Sequence, residues 1–244
     1  MLQQSNLIGG AWCNADNGAT LDVCNPANGI KLGTIPNCGA VETGRAITAA
    51  STAFTDWSSS DLSVRVNLLH KLHDALMDNQ IPLAHLLTAE QGKPLAEAMG
   101  EIAIGAAYIR WFAEEVRRAK GEIIPASSQD RQLLVTRHPV GVVVAITPWN
   151  FPSSMLARKL GPALAAGCTI VAKPASATPY SGLAWGKLCQ DVGFPNGVVN
   201  IVTGSARAIG AAVMASSEIQ KVTFTGSTDV GKILIRQSAE TVKK

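Results

Sequence analysis

Four short apolar runs, each followed by a helical pattern, leave the second half of this chain few architectures. The runs are residues 140–145, 168–172, 198–202 and 221–224, and the helical patterns follow at 154–166, 178–191, 206–215 and 230–239. Strands that alternate with helices of about 10–15 residues build βαβ units, because a parallel neighbour can be reached only by a crossover. The expectation is an α/β fold with a Rossmann-like, doubly wound parallel sheet.

Each run ends in its own turn chemistry. The first runs into Ile146-Thr147-Pro148-Trp149-Asn150-Phe151-Pro152. Each proline fixes φ and removes a backbone donor, so the turn presents Trp149 and Asn150 rigidly at the carboxyl end of a strand. Open α/β sheets bind ligands there. A neutral amide held there can donate a hydrogen bond to a developing oxyanion. The same residues also suit a purely structural turn around a packed tryptophan, and the turn alone leaves both readings open.

The other turns suggest a nucleotide. The second run ends in Lys173-Pro174-Ala175-Ser176, the third in Thr203-Gly204-Ser205, and the fourth in Thr225-Gly226-Ser227-Thr228 followed by Gly231. Gly226 and Ser227 open a helix, where glycine lets backbone approach closely and the helix N-terminus favours phosphate. This is not the GxGxxG pattern, and two glycines also serve simply to start a helix. Lys173, at the end of the second strand, is where a Rossmann-like domain meets the adenosine ribose. A carboxylate there would accept both ribose hydroxyls and repel a 2′-phosphate. Residues 173–178 contain none, and a cation beside the Ser176 hydroxyl suits a 2′-phosphate. NADP is therefore expected as cofactor, with NAD as the alternative; a plain surface lysine is the competing reading of Lys173.

The first half reads less distinctly. Residues 6–35 are short strands and turns broken by Gly9-Gly10, Asn17-Gly18, Pro26 and Asn28-Gly29. A helix is expected over 40–57 after Gly39. Leu62, Val66, Leu69, Leu72 and Leu76 form the apolar face of another, with Asp61 as N-cap. Gly92-Lys93-Pro94 breaks the chain. A long helix follows, with a core-facing stripe of Leu95, Met99, Ile102, Ala106, Ile109, Phe112 and Val116. Residues 121–129 read as a loop and 133–138 as a strand. The division expected is 1–120 for the N-terminal strands and helices, 121–139 for a connecting arm segment, and 140–244 for the dinucleotide-binding core.

Bulk properties exclude several classes. Lys and Arg number 21 against 18 Asp and Glu, and this near balance argues against a nucleic-acid partner. No run approaches the ~18 apolar residues of a membrane span, and the start lacks a signal-like apolar segment, so a cytoplasmic protein is expected. Five cysteines without CxxC spacing point to reduced thiols in a reducing compartment. Cys168 falls on a strand and Cys189 on a helix, while Cys13, Cys24 and Cys38 precede every binding turn, so none is expected to be a nucleophile. His70 and His73 lie one helical turn apart, but no carboxylate or further histidine completes a set, and no metal is expected. His85 and His138 are isolated.

Taken together, TPWNFP (147–152), GPALAAGCTIVAKPAS (161–176), VVNIVTGS (198–205), FTGST (224–228), TAEQGKPLAEA (88–98) and NPANG (25–29) resemble the aldehyde dehydrogenase superfamily, and within it the bacterial succinate-semialdehyde dehydrogenases. The resemblance spans essentially the whole chain. It implies that Asn150 is the oxyanion-hole amide and that Ile146, Thr147 and Trp149 lie beside the nicotinamide half of the cofactor. It places Gly204 beside the adenine, Ser227 at the pyrophosphate after Gly226, and Val230 on the apolar wall of the adenine pocket. The position of Ser176 often carries Glu in NAD-preferring members. Arg158 matches an arginine that binds the substrate carboxylate, for which paired guanidinium hydrogen bonds are suited; an exposed helix arginine is the other reading.

In the family, a thiolate attacks the aldehyde, hydride passes to the nicotinamide, and a carboxylate-activated water releases the acid from the thioester. The thiol lies in an Asn-x-Gly-Gln-x-Cys motif and the carboxylate in Glu-Leu-Gly-Gly. Neither motif occurs in this sequence, and the family pattern places both shortly after Lys244. The expectation is thus a truncated chain: a dinucleotide-binding domain with the first pass of an oligomerisation arm, the catalytic domain absent, and no activity alone. The full form is expected to be a homo-oligomer, dimer or tetramer, oxidising succinate semialdehyde or a close semialdehyde. An inactive dinucleotide-binding or assembly module, or an enzyme for an uncharged aldehyde, are the rival readings.

Overall fold

In the computed structural model, which describes residues 2–244, the N-terminal segment forms two antiparallel pairs, β1 (Asn6–Ile8) with β2 (Ala11–Cys13) and β3 (Thr20–Cys24) with β4 (Lys31–Pro36). Four helices follow: α1 (Ala40–Ser59), α2 (Leu62–Asp78), α3 (Gln80–Gln91) and α4 (Leu95–Glu115). A small antiparallel pair, β5 (Glu122–Ile124) and β6 (Leu133–Val135), leads to the alternating half. There, β7 (Val142–Ile146), α5 (Pro152–Ala165), β8 (Thr169–Lys173), α6 (Pro179–Val192), β9 (Val199–Ile201), α7 (Ala206–Ala215), β10 (Ile219–Phe224) and α8 (Thr228–Ser238) succeed one another.

The sheet order is β10-β7-β8-β9-β1-β2, parallel from β10 to β9 and antiparallel from there to the edge. The parallel α/β sheet stands as expected; β1 and β2 make it mixed. Asn6 fixes that edge, its Oδ1 accepting from the Thr203 backbone at 3.0 Å and the Thr203 hydroxyl at 2.8 Å.

Side chains of the parallel strands alternate between two cores, as a period of two requires. Val143, Ala145, Ile170, Ala172 and Ile201 pack with α2, α4, α5 and α6, whereas Val142, Val144 and Val171 pack with α1, α7 and Leu234 of α8. Helices on both faces explain why these strands read as unbroken apolar runs.

Several boundaries differ from the sequence reading. Helix α3 was not foreseen. Asn79 closes α2 and opens α3, and Pro82 sits in the first turn, where its missing N–H has no intrahelical role. Strand β5 lies in the segment read as a loop; at three residues it carries no periodicity, and only pairing with β6 defines it. The strand read over 133–138 is only Leu133–Val135. Cys168 precedes β8, while Lys173 is its last residue. Asp61 occupies the N-cap of α2, but its side chain makes no capping hydrogen bond. The α4 stripe packs inward as expected, with Ile102, Ala106 and Ile109 in the core. Among the described residues, no helix is long and apolar enough to cross a membrane.

Candidate cofactor and active site

Strands β7 and β10 are neighbours, yet the chain visits β8 and β9 on the far side of β7 before returning to β10. The order of connection therefore reverses between β7 and β10, and the crevice beyond their carboxyl ends is the ligand position of such sheets. The turns after β7 and β10 are joined there, the Thr225 amide donating to the Ile146 carbonyl at 3.1 Å. Of the sequence-predicted residues, Ile146 ends β7, and Thr147, Trp149, Asn150, Gly226 and Ser227 belong to these two turns.

The turn after β7 is held from beneath. Thr147 is buried, its amide donating to the Lys173 carbonyl at 3.3 Å and its hydroxyl lacking a partner among the described residues. Trp149 and Asn150 are exposed. The Phe151 amide donates to Asn150 Oδ1 at 3.1 Å, leaving the Nδ2 hydrogens as the free donors of that carboxamide. Pro152 opens α5, and Glu101 Oε1 accepts from the next two amides, Ser153 at 2.9 Å and Ser154 at 3.0 Å. Glu101 Oε2 is paired with Lys93, whose Nζ also donates to the Asn150 carbonyl at 3.0 Å. Both charged side chains are buried.

A second buried carboxylate closes α6. Glu90 accepts from the Tyr180 and Ser181 amides, both at 2.7 Å. Burial pushes its carboxyl up to about 7, against the opposing pull of the Ser181 and Tyr180 hydrogen bonds. At the end of β8, Lys173 is buried and not the loop-surface lysine of the competing reading; its Nζ donates to the Pro174 carbonyl at 3.1 Å, and burial lowers its pKa. Ser176 is half-buried and 3.5 Å from the Gly204 carbonyl, and the buried Thr178 hydroxyl has no partner. Trp149, Ser176, Thr178, Glu90 and Cys24 line one cavity of about 330 Å³.

At α8 the N-terminus is capped only by its own Ser227, whose Oγ accepts from the Val230 amide at 3.4 Å. Gly226, Ser227 and Val230 are exposed. A Cβ on Gly226 would lie 2.4 Å from the tip of the Phe224 ring, so a larger residue there would have to displace that ring. Gly204 has a different constraint: its φ is 136°, and a Cβ would fall 2.2 Å from the Cys38 nitrogen.

Two adjacent cations of α5 have opposite fates. Lys159 is buried, donating to Thr225 Oγ1 at 2.9 Å and Thr223 Oγ1 at 3.1 Å; burial first, then Arg158, lowers its pKa. Arg158 is exposed and stacks on Tyr108, 4.7 Å from guanidinium carbon to ring centroid. It lines a cavity with Lys159, Val143 and Thr223, separate from the one that holds Trp149 and Ser176. Burial raises the thiols of Cys38 and Cys189 to about 12, so neither forms a thiolate readily. His70 instead pairs with Glu114 at 2.9 Å.

Sequence reasoning missed Lys93, Glu101, Glu90 and Lys159 as parts of this site. Glu90 and Lys93 lie in the quoted TAEQGKPLAEA segment, which was the available signal; Glu101 and Lys159 looked like ordinary helix-surface charges.

A model of the aldehyde dehydrogenase family matches residues 12–244. The chain is 50% identical over its full length to the succinate-semialdehyde dehydrogenase (NADP(+)) of Escherichia coli and covers 51% of that protein. It is 49% identical to a glutarate-semialdehyde dehydrogenase of Pseudomonas aeruginosa and 51% identical to a 3-sulfolactaldehyde dehydrogenase of Pseudomonas putida, covering 50% of each. Among solved structures, a succinate-semialdehyde dehydrogenase from Burkholderia pseudomallei superposes with a TM-score of 0.99 at 49% identity, with the whole of this chain matching 50% of that one. The chain thus spans about half the length of the curated relatives it matches.

Proposed function

The chain belongs to the aldehyde dehydrogenase family, and from that premise we propose that it serves NADP-dependent oxidation of succinate semialdehyde or a close semialdehyde, holding the cofactor and the oxyanion donor. One observation carries the cofactor placement. The N-termini of α5 and α6 are each filled by a protein carboxylate, Glu101 and Glu90, whereas no carboxylate from another element bonds that of α8 among the described residues. The amides at the first two are already bonded and the turn into α7 is buried at Gly204, whereas Gly226 and Ser227 are exposed and can take a pyrophosphate.

The preference for NADP rests on Lys173 and Ser176, with no carboxylate in the loop between β8 and α6. By the family resemblance we propose Gly204 and Val230 beside the adenine, and Ile146, Thr147 and Trp149 beside the nicotinamide. The unpartnered buried hydroxyls of Thr147 and Thr178 fit a polar ligand, since such groups are normally satisfied. Bound there, NADP supplies the hydride acceptor that aldehyde oxidation needs. Asn150 would donate from Nδ2 to the aldehyde oxygen, an interaction of about 2.7–4 kcal/mol in comparable oxyanion holes. Arg158 is the proposed carboxylate-recognising cation. The thiol and carboxylate are proposed to come from residues outside these 244, because neither family motif occurs here.

A homo-oligomer is proposed through the β5–β6 hairpin, where Ile123 and Leu134 are 78% and 65% exposed. A cytoplasmic setting is supported by five cysteines that are all free. The deciding experiment is a titration of the chain with NADP and NAD, read by tryptophan fluorescence. NADP should bind more tightly, and Ser176→Glu should weaken it about 30-fold or more by like-charge repulsion while leaving NAD within about threefold. Absence of NADP binding would sink the proposal.

A further inference from the structure

We infer that Lys93 and Glu101 are positioning residues that hold the Asn150 carboxamide in its donating orientation; this rests on the oxyanion reading of Asn150 proposed above. The turn at 147–152 has little of its own to fix it, because Pro148 and Pro152 remove two backbone donors. One buried ion pair replaces them at four points. Lys93 Nζ donates to the Asn150 carbonyl at 3.0 Å and lies 4.0 Å from the centroid of the Phe151 ring. Glu101, its partner, takes the amides of Ser153 and Ser154. With residue 150 held by its carbonyl and Phe151 by its ring, the Phe151 amide meets Asn150 Oδ1, which leaves Nδ2 as the donor end of the carboxamide.

Helix capping does not account for the lysine. Glu90 also caps two amides, those of α6, and among the described residues no cation is bonded to it. The cation is needed only where the capped helix follows a turn that carries a functional amide. Its place is set by the break between α3 and α4: Gly92 is left-handed at φ 90°, and the Lys93 amide donates to Gln91 Oε1 at 2.9 Å. Buried ion pairs contribute little net stability, and their best-attested use is conformational specificity. Apart from their bond to each other, the side-chain hydrogen bonds of the pair all go to residues 150–154.

The test is two-dimensional NMR of the whole chain, following the side-chain amide of Asn150 (assigned by its loss in Asn150→Asp) and the backbone amide of Phe151. In Lys93→Met both signals should move, and Phe151 amide exchange should quicken about tenfold, the scale of one lost charge-assisted hydrogen bond. The Asn200 side-chain amide, bonded to Gly197 at 2.7 Å elsewhere in the fold, should stay in place. If Lys93→Met alone does not fold, Lys93→Met with Glu101→Gln removes both charges and keeps an oxygen for Ser153 and Ser154; the same changes are expected. Signals of Asn150 and Phe151 that move no more than that of Asn200 would overturn the inference. So would loss of the fold in both variants, which would assign the pair to stability. NADP titration of the same samples separates the two proposals, since failure of the wild-type chain to bind NADP refutes the proposed function and leaves the NMR result to judge the positioning.

Discussion

Lys159 donates a hydrogen bond to the Thr225 hydroxyl at 2.9 Å, tying α5 to the turn that leads into α8. Its other side-chain hydrogen bond goes to the Thr223 hydroxyl, and among the described residues no carboxylate is bonded to this buried cation. A lysine with a lowered folded pKa stabilises the fold only above its unfolded value and costs stability at neutral pH. Lys159→Met should therefore leave the Tm no lower than wild type, while the loosened turn weakens NADP about three- to tenfold. A fall in Tm beyond about 5 °C would show that the two hydroxyl contacts outweigh the desolvation.

Arg158 should matter by substrate. In the proposed full-length enzyme, which carries the thiol and carboxylate, Arg158→Gln is expected to lower kcat/KM for succinate semialdehyde about 10- to 100-fold, the range for losing a charge-assisted pair, and to change butanal turnover little. Arg158→Lys should recover only part of this, because the planar fork and its stacking on Tyr108 are lost. Equal losses for both aldehydes would favour the uncharged-aldehyde reading.

Glu90 should leave a mark on stability against pH. Its carboxyl is raised from 4.5 to about 7, so between these values the folded state holds a proton that the unfolded state has released. The stabilisation is fully present below the unfolded value and is lost as pH rises through the folded one. Thermal melts from pH 4.5 to 8 should show this decline, and Glu90→Gln should flatten it. Parallel curves for the two proteins would refute the assignment.

The β5–β6 hairpin exposes Ile123 and Leu134 without a covering element. Ile123→Asp with Leu134→Asp should weaken self-association about 100-fold or more, as removal of central apolar anchors does, with the melting curve little changed. Sedimentation velocity would decide it: an unchanged distribution would remove the hairpin from the interface.

Much of the alternating half was legible. Helix α7 was read to its observed ends, and the other elements of that half were found with boundaries shifted by a few residues, because strands buried on both faces carry strong local signals. Strand β5 and helix α3 were not. The first is defined only by its pairing partner, and the second was hidden by Pro82 and by the break at Asn79. The turns that carry the candidate residues were readable because prolines and glycines mark turns locally. Glu90, Glu101, Lys93 and Lys159 were not, since a charged residue on a helix looks the same whether it meets solvent or another helix's N-terminus.

The sequence by itself determined the strand–helix alternation, the turn chemistries and the absence of a carboxylate between Lys173 and Thr178. These are local properties, set by side-chain period and backbone restriction. Only the tertiary structure decided which helix N-termini remain open to an anion and what holds Asn150. Those depend on contacts such as Glu101 with Ser153 and Glu90 with Tyr180, between residues far apart in the chain that burial brings within hydrogen-bonding distance.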